Sequence, residues 1–170
     1  MKILFSNSTR PRTNAGVVFG VEKIYYWKNK VRIKIKKLNK DAKLPKYAHP
    51  GDAGMDMYAM ESVTIPPMGH YRFWHGFALE FPEGYVALVM DKGGISKAGL
   101  QTMGGVFDAG YRGEYNTHLV NLSDKSYTVE ESDKVSQLVI VPVAIALLEE
   151  TDTLSESVRG EGRFGSTGRK

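Results

Sequence analysis

His70-Tyr-Arg-Phe-Trp-His-Gly-Phe-Ala-Leu-Glu-Phe81 runs into Pro82-Glu-Gly84 and then Tyr85-Val-Ala-Leu-Val-Met90. Aromatic and β-branched side chains suit a pleated, half-buried surface, and Pro-Glu-Gly supplies a turn, so residues 70–90 read as strand, turn, strand. Working outward, turn signals recur at intervals of about ten residues, the spacing of a β-sandwich or barrel. No segment carries a long helical repeat; Ala144 to Glu150 alone offers a short one. The expected fold class is therefore all-β.

Upstream, Val31 to Leu38 alternates apolar with basic residues, which predicts a half-buried strand with its lysines in solvent. Pro45 and Pro50 bracket an extended connector. Gly51 to Met57 then forms a small-residue turn carrying Asp52 and Asp56, either as turn formers or as holders of a hard cation or its water shell. Downstream, Asp91 to Lys97 is a polar glycine loop, suited to an anion or to a plain hairpin. Tyr115 to Leu122 reads as a strand and Val129 to Asp133 as an acidic turn. Val135 to Val143 is a strongly apolar strand containing Gln137, in which Pro142 implies an edge or a bulge.

With 170 residues and 42% hydrophobic content, the chain supports one domain with a proper core. Its lack of cysteine excludes disulfides, thiolate nucleophiles and cysteine-ligated zinc, and suits a reducing, cytoplasmic setting. Residues 1–46 hold 13 of the 23 Lys and Arg but only Glu22 and Asp41 among the acids, leaving 10 basic and 17 acidic groups for the rest. This basic front reads as a solvated strand face or tail, so nucleic acid is not an expected partner. No apolar run reaches membrane-spanning length, so no membrane partner is expected either. Residues 1–30 form a leader of undefined role, with a faint transit-peptide composition in the first 22; residues 31–150 form the β domain and 151–170 a tail.

Chemistry concentrates in Gly104-Gly-Val-Phe-Asp-Ala-Gly-Tyr-Arg-Gly-Glu114, where a carboxylate, a phenol and a guanidinium sit in a glycine-rich turn. Asp108 is placed to activate a water, against the plainer reading of a turn-forming acid. The tail, Arg159-Gly-Glu-Gly-Arg-Phe-Gly-Ser-Thr-Gly168, is too glycine-rich to hold itself still, and is expected to be mobile. Its aromatic ring, hydroxyls and arginines suit stacking on a base and wrapping phosphates. A Walker A loop is rejected because the Gly-Lys-Ser/Thr ending is missing, and the four histidines lack a zinc-binding helical spacing. No Gly-x-Ser-x-Gly elbow occurs.

These pieces in order resemble the five motifs of the trimeric dUTPase family: Ala53 to Met57, Asp91 to Gly94, Gly105 to Gly113, Asp133 to Leu138 and Arg159 to Gly168. The resemblance implies a jelly-roll-like β-barrel of the β-clip kind, assembled as a homotrimer whose sites lie between subunits and are closed by a neighbour's C-terminal arm. It implies hydrolysis of dUTP to dUMP and pyrophosphate with Mg2+. Asp108 is then the general base, and Asp56 holds waters of the Mg2+ shell. Tyr111 packs under the deoxyribose, and backbone from Thr102 through Gly105 and Val106 pairs with uracil. Lys92, Gly93, Gly94 and Gln137 face the phosphates or the attacking water. Phe164 stacks on the base, while Arg159, Gly165, Ser166 and Thr167 serve the arm's grip on the γ-phosphate.

The family's second motif usually reads Arg-Ser-Gly, but here Lys92-Gly93-Gly94 keeps the charge and loses the serine hydroxyl. Arg163, where glycine is common, is a milder departure. Two rival readings remain open from the sequence: a dCTP deaminase, alone or bifunctional, with Glu114 as its catalytic acid, and a weakly active nucleotide-sensing regulator.

Overall fold

The computed structural model describes residues 30–162. The leader up to residue 29, and Arg163, Phe164, Gly165, Ser166 and Thr167 of the tail, lie outside the described residues. The described chain holds eleven strands and one short helix. The strands are β1 Lys34–Lys37, β2 Gly54–Tyr58, β3 Val63–Ile65, β4 His70–Trp74, β5 Phe77–Glu80, β6 Tyr85–Met90, β7 Leu100–Met103, β8 Val106–Asp108, β9 Asn116–Asn121, β10 Tyr127–Val129 and β11 Lys134–Pro142. Helix α1 is Gly93–Lys97. The expected all-β class is what forms.

Every strand pairing is antiparallel, in sheets ordered β2-β11-β6-β8, β4-β9-β7, β3-β10 and β1-β5. Strand β11 is the spine, pairing with β2 on one side and β6 on the other. Two apolar clusters fill the interior. One gathers Met57, Phe77, Leu79, Val89, Tyr115 and Leu138, the other Ile65, Phe73, Leu100, Leu119, Val129 and Val135. Period-two alternation builds them, since β9 sends Thr117, Leu119 and Asn121 inward and leaves Asn116, His118 and Val120 half-buried on its other face. The Tyr115 ring stacks on Phe107 at 4.3 Å and Phe77 at 5.5 Å between centroids. Burial pushes the Tyr115 phenol up to about 12.

A buried polar chain stitches the strands near the seam of the two clusters. His75 Nδ1 lies 2.8 Å from the Tyr58 carbonyl, His75 Nε2 2.7 Å from Thr117 Oγ1, and Thr117 Oγ1 2.6 Å from Ser136 Oγ. A carbonyl only accepts, so Nδ1 carries the proton, Nε2 accepts from Thr117, and Ser136 donates to Thr117. Burial holds the imidazole neutral, with its pKa lowered to about 4. A His with a depressed folded pKa leaves stability intact above its unfolded value of 6.5 and removes it as pH falls towards 4. The expected loss across that window is roughly 3 kcal/mol. Urea unfolding at pH 7 and pH 4 measures it, and a His75→Gln variant should lose that part of the slope.

Five local expectations are corrected. The stretch from His70 to Phe81 is two strands, β4 paired with β9 and β5 paired with β1, broken where Gly76 takes a positive φ of 68°. Strand β1 is only Lys34–Lys37, pairs with β5 alone and is exposed throughout, Ile35 included, because a cavity opens between Ile35 and Leu44, Leu79 and Leu138. The loop after β6 winds into α1, where Ile95 gains a place in the core; glycine is not required there, since a Cβ at Gly93 or Gly94 would meet nothing. Ala144 to Glu150 forms no regular structure; Ile145, Leu147 and Leu148 are exposed with no described surface to pack on, and a short helix does not hold itself. Pro142 lies in the interior strand β11, not an edge strand. It is tolerated because pairing with β6 continues through Pro142 but pairing with β2 ends at Val139, so the missing N–H falls on the side β2 has left, and the irregularity sits at the other end, between Lys134 and Ser136.

Candidate functional site

Strand β2 places Asp56 directly across from Gln137 of β11, and Asp56 is almost wholly enclosed. On its other side the backbone of Asp56 bridges to Lys46, the Asp56 N–H donating to the Lys46 carbonyl at 2.8 Å. The Lys92 ammonium donates to Asp56 Oδ1 at 2.7 Å, and Lys134 Nζ lies 2.7 Å from Oδ2, close enough for an ion pair but without an aligned hydrogen bond. Gln137 Nε2 adds a long contact of 3.5 Å to Oδ1. Burial pushes the Asp56 carboxyl up, but Lys134, Lys92 and Gln137 together outweigh it and hold the group below the usual carboxylate value. Gly54 makes room for Gln137, because a Cβ there would stand 3.1 Å from the Gln137 Cβ. Asp52, four residues earlier, turns away to accept the His49 N–H at 2.7 Å. The two acids do not form one loop.

Lys92 is the residue before α1, and a Cβ at Gly93 or Gly94 would meet nothing within 4 Å. Lys92, Gly94, Ile95, Tyr127, Asp133 and Lys134 line one shallow pocket, so two ammonium groups and one carboxylate border a common space. Asp91 turns the other way, its Oδ1 accepting from Thr102 N at 2.6 Å and Thr102 Oγ1 at 2.7 Å. Both Thr102 donors are thus engaged in tying the start of β7 to the end of β6. The sequence reading did not single out Asp91 or Lys134. The available signal was position: each flanks a motif residue at a turn-to-strand boundary.

After β7, Gly104 and Gly105 carry the chain from the three-stranded sheet to the four-stranded one. Both have positive φ, 73° and 102°, which a side chain disfavours. At Gly105 a Cβ would also stand 2.5 Å from the Val89 carbonyl oxygen, while the Gly105 carbonyl accepts the Val89 N–H at 2.8 Å. Gly105→Ala is expected to cost roughly 1–3 kcal/mol, read from a denaturant midpoint.

The crossover delivers β8 as an edge strand ending at Asp108, whose carboxylate is exposed and makes no hydrogen bond among the described residues. The turn beyond is tightly braced. Tyr111 N–H donates to the Asp108 carbonyl at 3.0 Å, Arg112 donates to the Ala109 carbonyl at 2.6 Å, and the Tyr111 hydroxyl donates to the Glu114 carbonyl at 3.1 Å. The Tyr111 phenol lies over Gly113, where a Cβ would collide with it. Glu114 itself accepts the Gly76 N–H at 2.7 Å, so this acid is committed to holding backbone.

The residues singled out from sequence fall into two groups within one chain. Asp56, Lys92 and Gln137 converge at the Met90 end of β6, because Gln137 is in register with both Asp56 and Met90. Asp108 is in register with Val86 at the opposite end, about 13 Å away along the strand. Arg159 turns back on its own exposed segment, donating to the Gly162 carbonyl at 2.9 Å. No cluster of three or more His, Cys, Asp or Glu suited to a metal occurs among the described residues. Asp56 with two lysines is net positive, so these residues fit a divalent cation only when it arrives on an anionic ligand that draws the ammonium groups away. No helix among the described residues is long and apolar enough to cross a membrane.

A family model described as dUTPase matches residues 40–168. The chain is 44% identical over 140 residues to the deoxyuridine 5'-triphosphate nucleotidohydrolase of Clostridium tetani, an alignment that covers 81% of this chain and 97% of that protein. The corresponding figures for the Alkaliphilus metalliredigens protein of the same name are 43% over 141 residues, 81% and 98%. Among solved structures, a mutant Staphylococcus bacteriophage 80alpha dUTPase with dUpNHpp superposes with a TM-score of 0.75 at 30% identity, covering 81% of this chain and 98% of that one. A mutant dUTPase from phage phi11 of S. aureus, described with a structural Mg(II) ion, matches with a TM-score of 0.68 at 26% identity, over 74% and 99% of the two chains.

Proposed function

The chain belongs to the dUTPase family, and from that premise we propose that it converts dUTP and water to dUMP and pyrophosphate, with Asp108 as the base. The observation that carries this reading is the pairing of two complementary half-sites in one fold: an exposed, unpaired carboxylate on a braced glycine crossover, and a two-lysine pocket suited to anionic oxygens. Asp108 takes a proton from water, the water oxygen bonds to the α-phosphorus, and the bond from that phosphorus to the bridging oxygen breaks as pyrophosphate leaves. Phosphoryl transfer asks chiefly for positioning and charge neutralisation. Lys92 and Lys134 supply part of the latter on leaving Asp56 for the phosphates.

The distance between the half-sites within one chain supports a homotrimer in which Asp108 of one subunit meets the Asp56 group of another, with the arm from Arg159 closing over them. Tyr111, fixed by its hydroxyl bond and by Phe107 at 5.5 Å, presents a ring to the deoxyribose. Backbone at Gly105 and Val106 reads the uracil edge, where an exocyclic amine or a methyl group mispairs or clashes. Thr102 contributes by bracing this segment through Asp91. Mg2+ carried by the triphosphate, with Asp56 reaching it through water, would neutralise charge on the leaving pyrophosphate. The cysteine-free composition supports a cytoplasmic setting.

The deaminase reading is disfavoured, because Glu114 Oε1 is engaged by the Gly76 N–H. Pyrophosphate release measured in Mg2+ with dUTP, dTTP, dCTP and UTP tests the proposal: release from dUTP alone supports it, and ammonia release from dCTP contradicts it. Gly93 is expected to limit the rate by offering no hydroxyl to the bridging oxygen. Since nothing obstructs a Cβ there, Gly93→Ser should fold normally and raise turnover about ten- to a hundredfold in the same assay.

A further inference from the structure

We infer that His70 and His118, with Met103 beside them, form a transition-metal site on the outer face of the β4-β9-β7 sheet, suited to zinc or monovalent copper and not to Mg2+. Residues paired across antiparallel strands share a face. His118 of β9 is paired with Arg72 of β4 on one side and Met103 of β7 on the other, and His70 is paired with Val120, the next outward residue of β9. The diagonal neighbours His70 and His118 meet with Nδ1 and Nε2 3.0 Å apart and their rings 71° from coplanar. Two imidazole nitrogens on a tetrahedral ion, each about 2.0–2.1 Å from it, stand about 3.3 Å apart. The pair therefore needs to open by only a few tenths of an ångström to exchange its shared proton for a metal.

The Met103 side chain is exposed and directly across from His118, with a Cβ separation of about 4.5–5.5 Å for such a pair, within reach of its thioether. Imidazole suits zinc and copper, and thioether selects monovalent copper. The other residues of this face, Arg72, Trp74, Gln101, Asn116 and Val120, include no carboxylate, so no anionic oxygen offsets the charge of a hard cation here. Arg72 opposes any cation by its charge, and its guanidinium leans towards Trp74, 5.8 Å from the ring centre. Neither histidine belongs to either half-site, and only Met103 adjoins the backbone assigned to uracil, with its side chain on the outer face.

The test uses the full-length protein stripped with chelator, titrated with Zn2+ and, without oxygen and with a reductant, with Cu+ against a chromophoric competitor. One ion per chain is expected, bound at least about tenfold more weakly by His70→Ala and by His118→Ala. Met103→Leu should weaken Cu+ and leave Zn2+ unchanged, and Arg72→Gln should tighten both ions. Circular dichroism checks that the variants fold. Unchanged affinity in the double histidine variant, or the lack of any saturable site in the parent, overturns the assignment.

Discussion

Asp108→Asn is expected to lower turnover of dUTP by about three orders of magnitude while leaving nucleotide affinity within a few-fold of the parent. The amide keeps the shape of the carboxylate and loses its basicity. The fold has no stake in the charge: Asp108 ends an edge strand, is exposed, and makes no side-chain hydrogen bond among the described residues. The surrounding turn is held by backbone and by Tyr111 and Arg112, which the substitution leaves in place. Single-turnover kinetics and titration with a non-hydrolysable dUTP analogue separate the two effects. Unchanged turnover would remove Asp108 from the chemistry, whereas loss of affinity in proportion to rate would make it a binding residue.

Deleting residues 159–170 is expected to reduce kcat/KM for dUTP by at least about a hundredfold, because an arm that closes a site excludes water and orients the reacting groups. Among the described residues of the deleted segment, 159–161 are exposed and none belongs to either apolar cluster, so stability should barely change. Thermal unfolding and gel filtration establish that the truncated chain keeps its fold and assembly state. Full activity after truncation would take the arm out of the account.

The strand content was legible because it rests on period-two burial. Tyr85 to Met90 reads as a strand and is one, and the apolar run from Val135 becomes the central strand of its sheet. The alternation from Val31 was legible only in part: Val31 and Ile33 are half-buried, but Ile35 lines an open apolar cavity with Leu44, Leu79 and Leu138 and stays exposed. Glycine was legible at Gly105, where both the backbone angle and the close carbonyl demand it, and misleading at Gly93 and Gly94, where open space surrounds a helical turn. The site was half legible. Asp108 and Tyr111 announce themselves in a glycine-rich run, and Asp56 and Gln137 meet because β2 and β11 pair in that register. Long-range pairing brings Lys92 and Lys134 onto one carboxylate, and Asp91 onto Thr102, across separations no local pattern encodes.

The central claim is that a working site joins Asp108 of one subunit to the Asp56 group of another. Its most direct test mixes two inactive chains, Asp108→Asn and Asp56→Ala, unfolded and refolded together. Random assembly into symmetric trimers gives roughly a quarter of the sites an intact pair, so the mixture should recover roughly a quarter of parental activity. A mixture as inactive as its components would contradict a shared site.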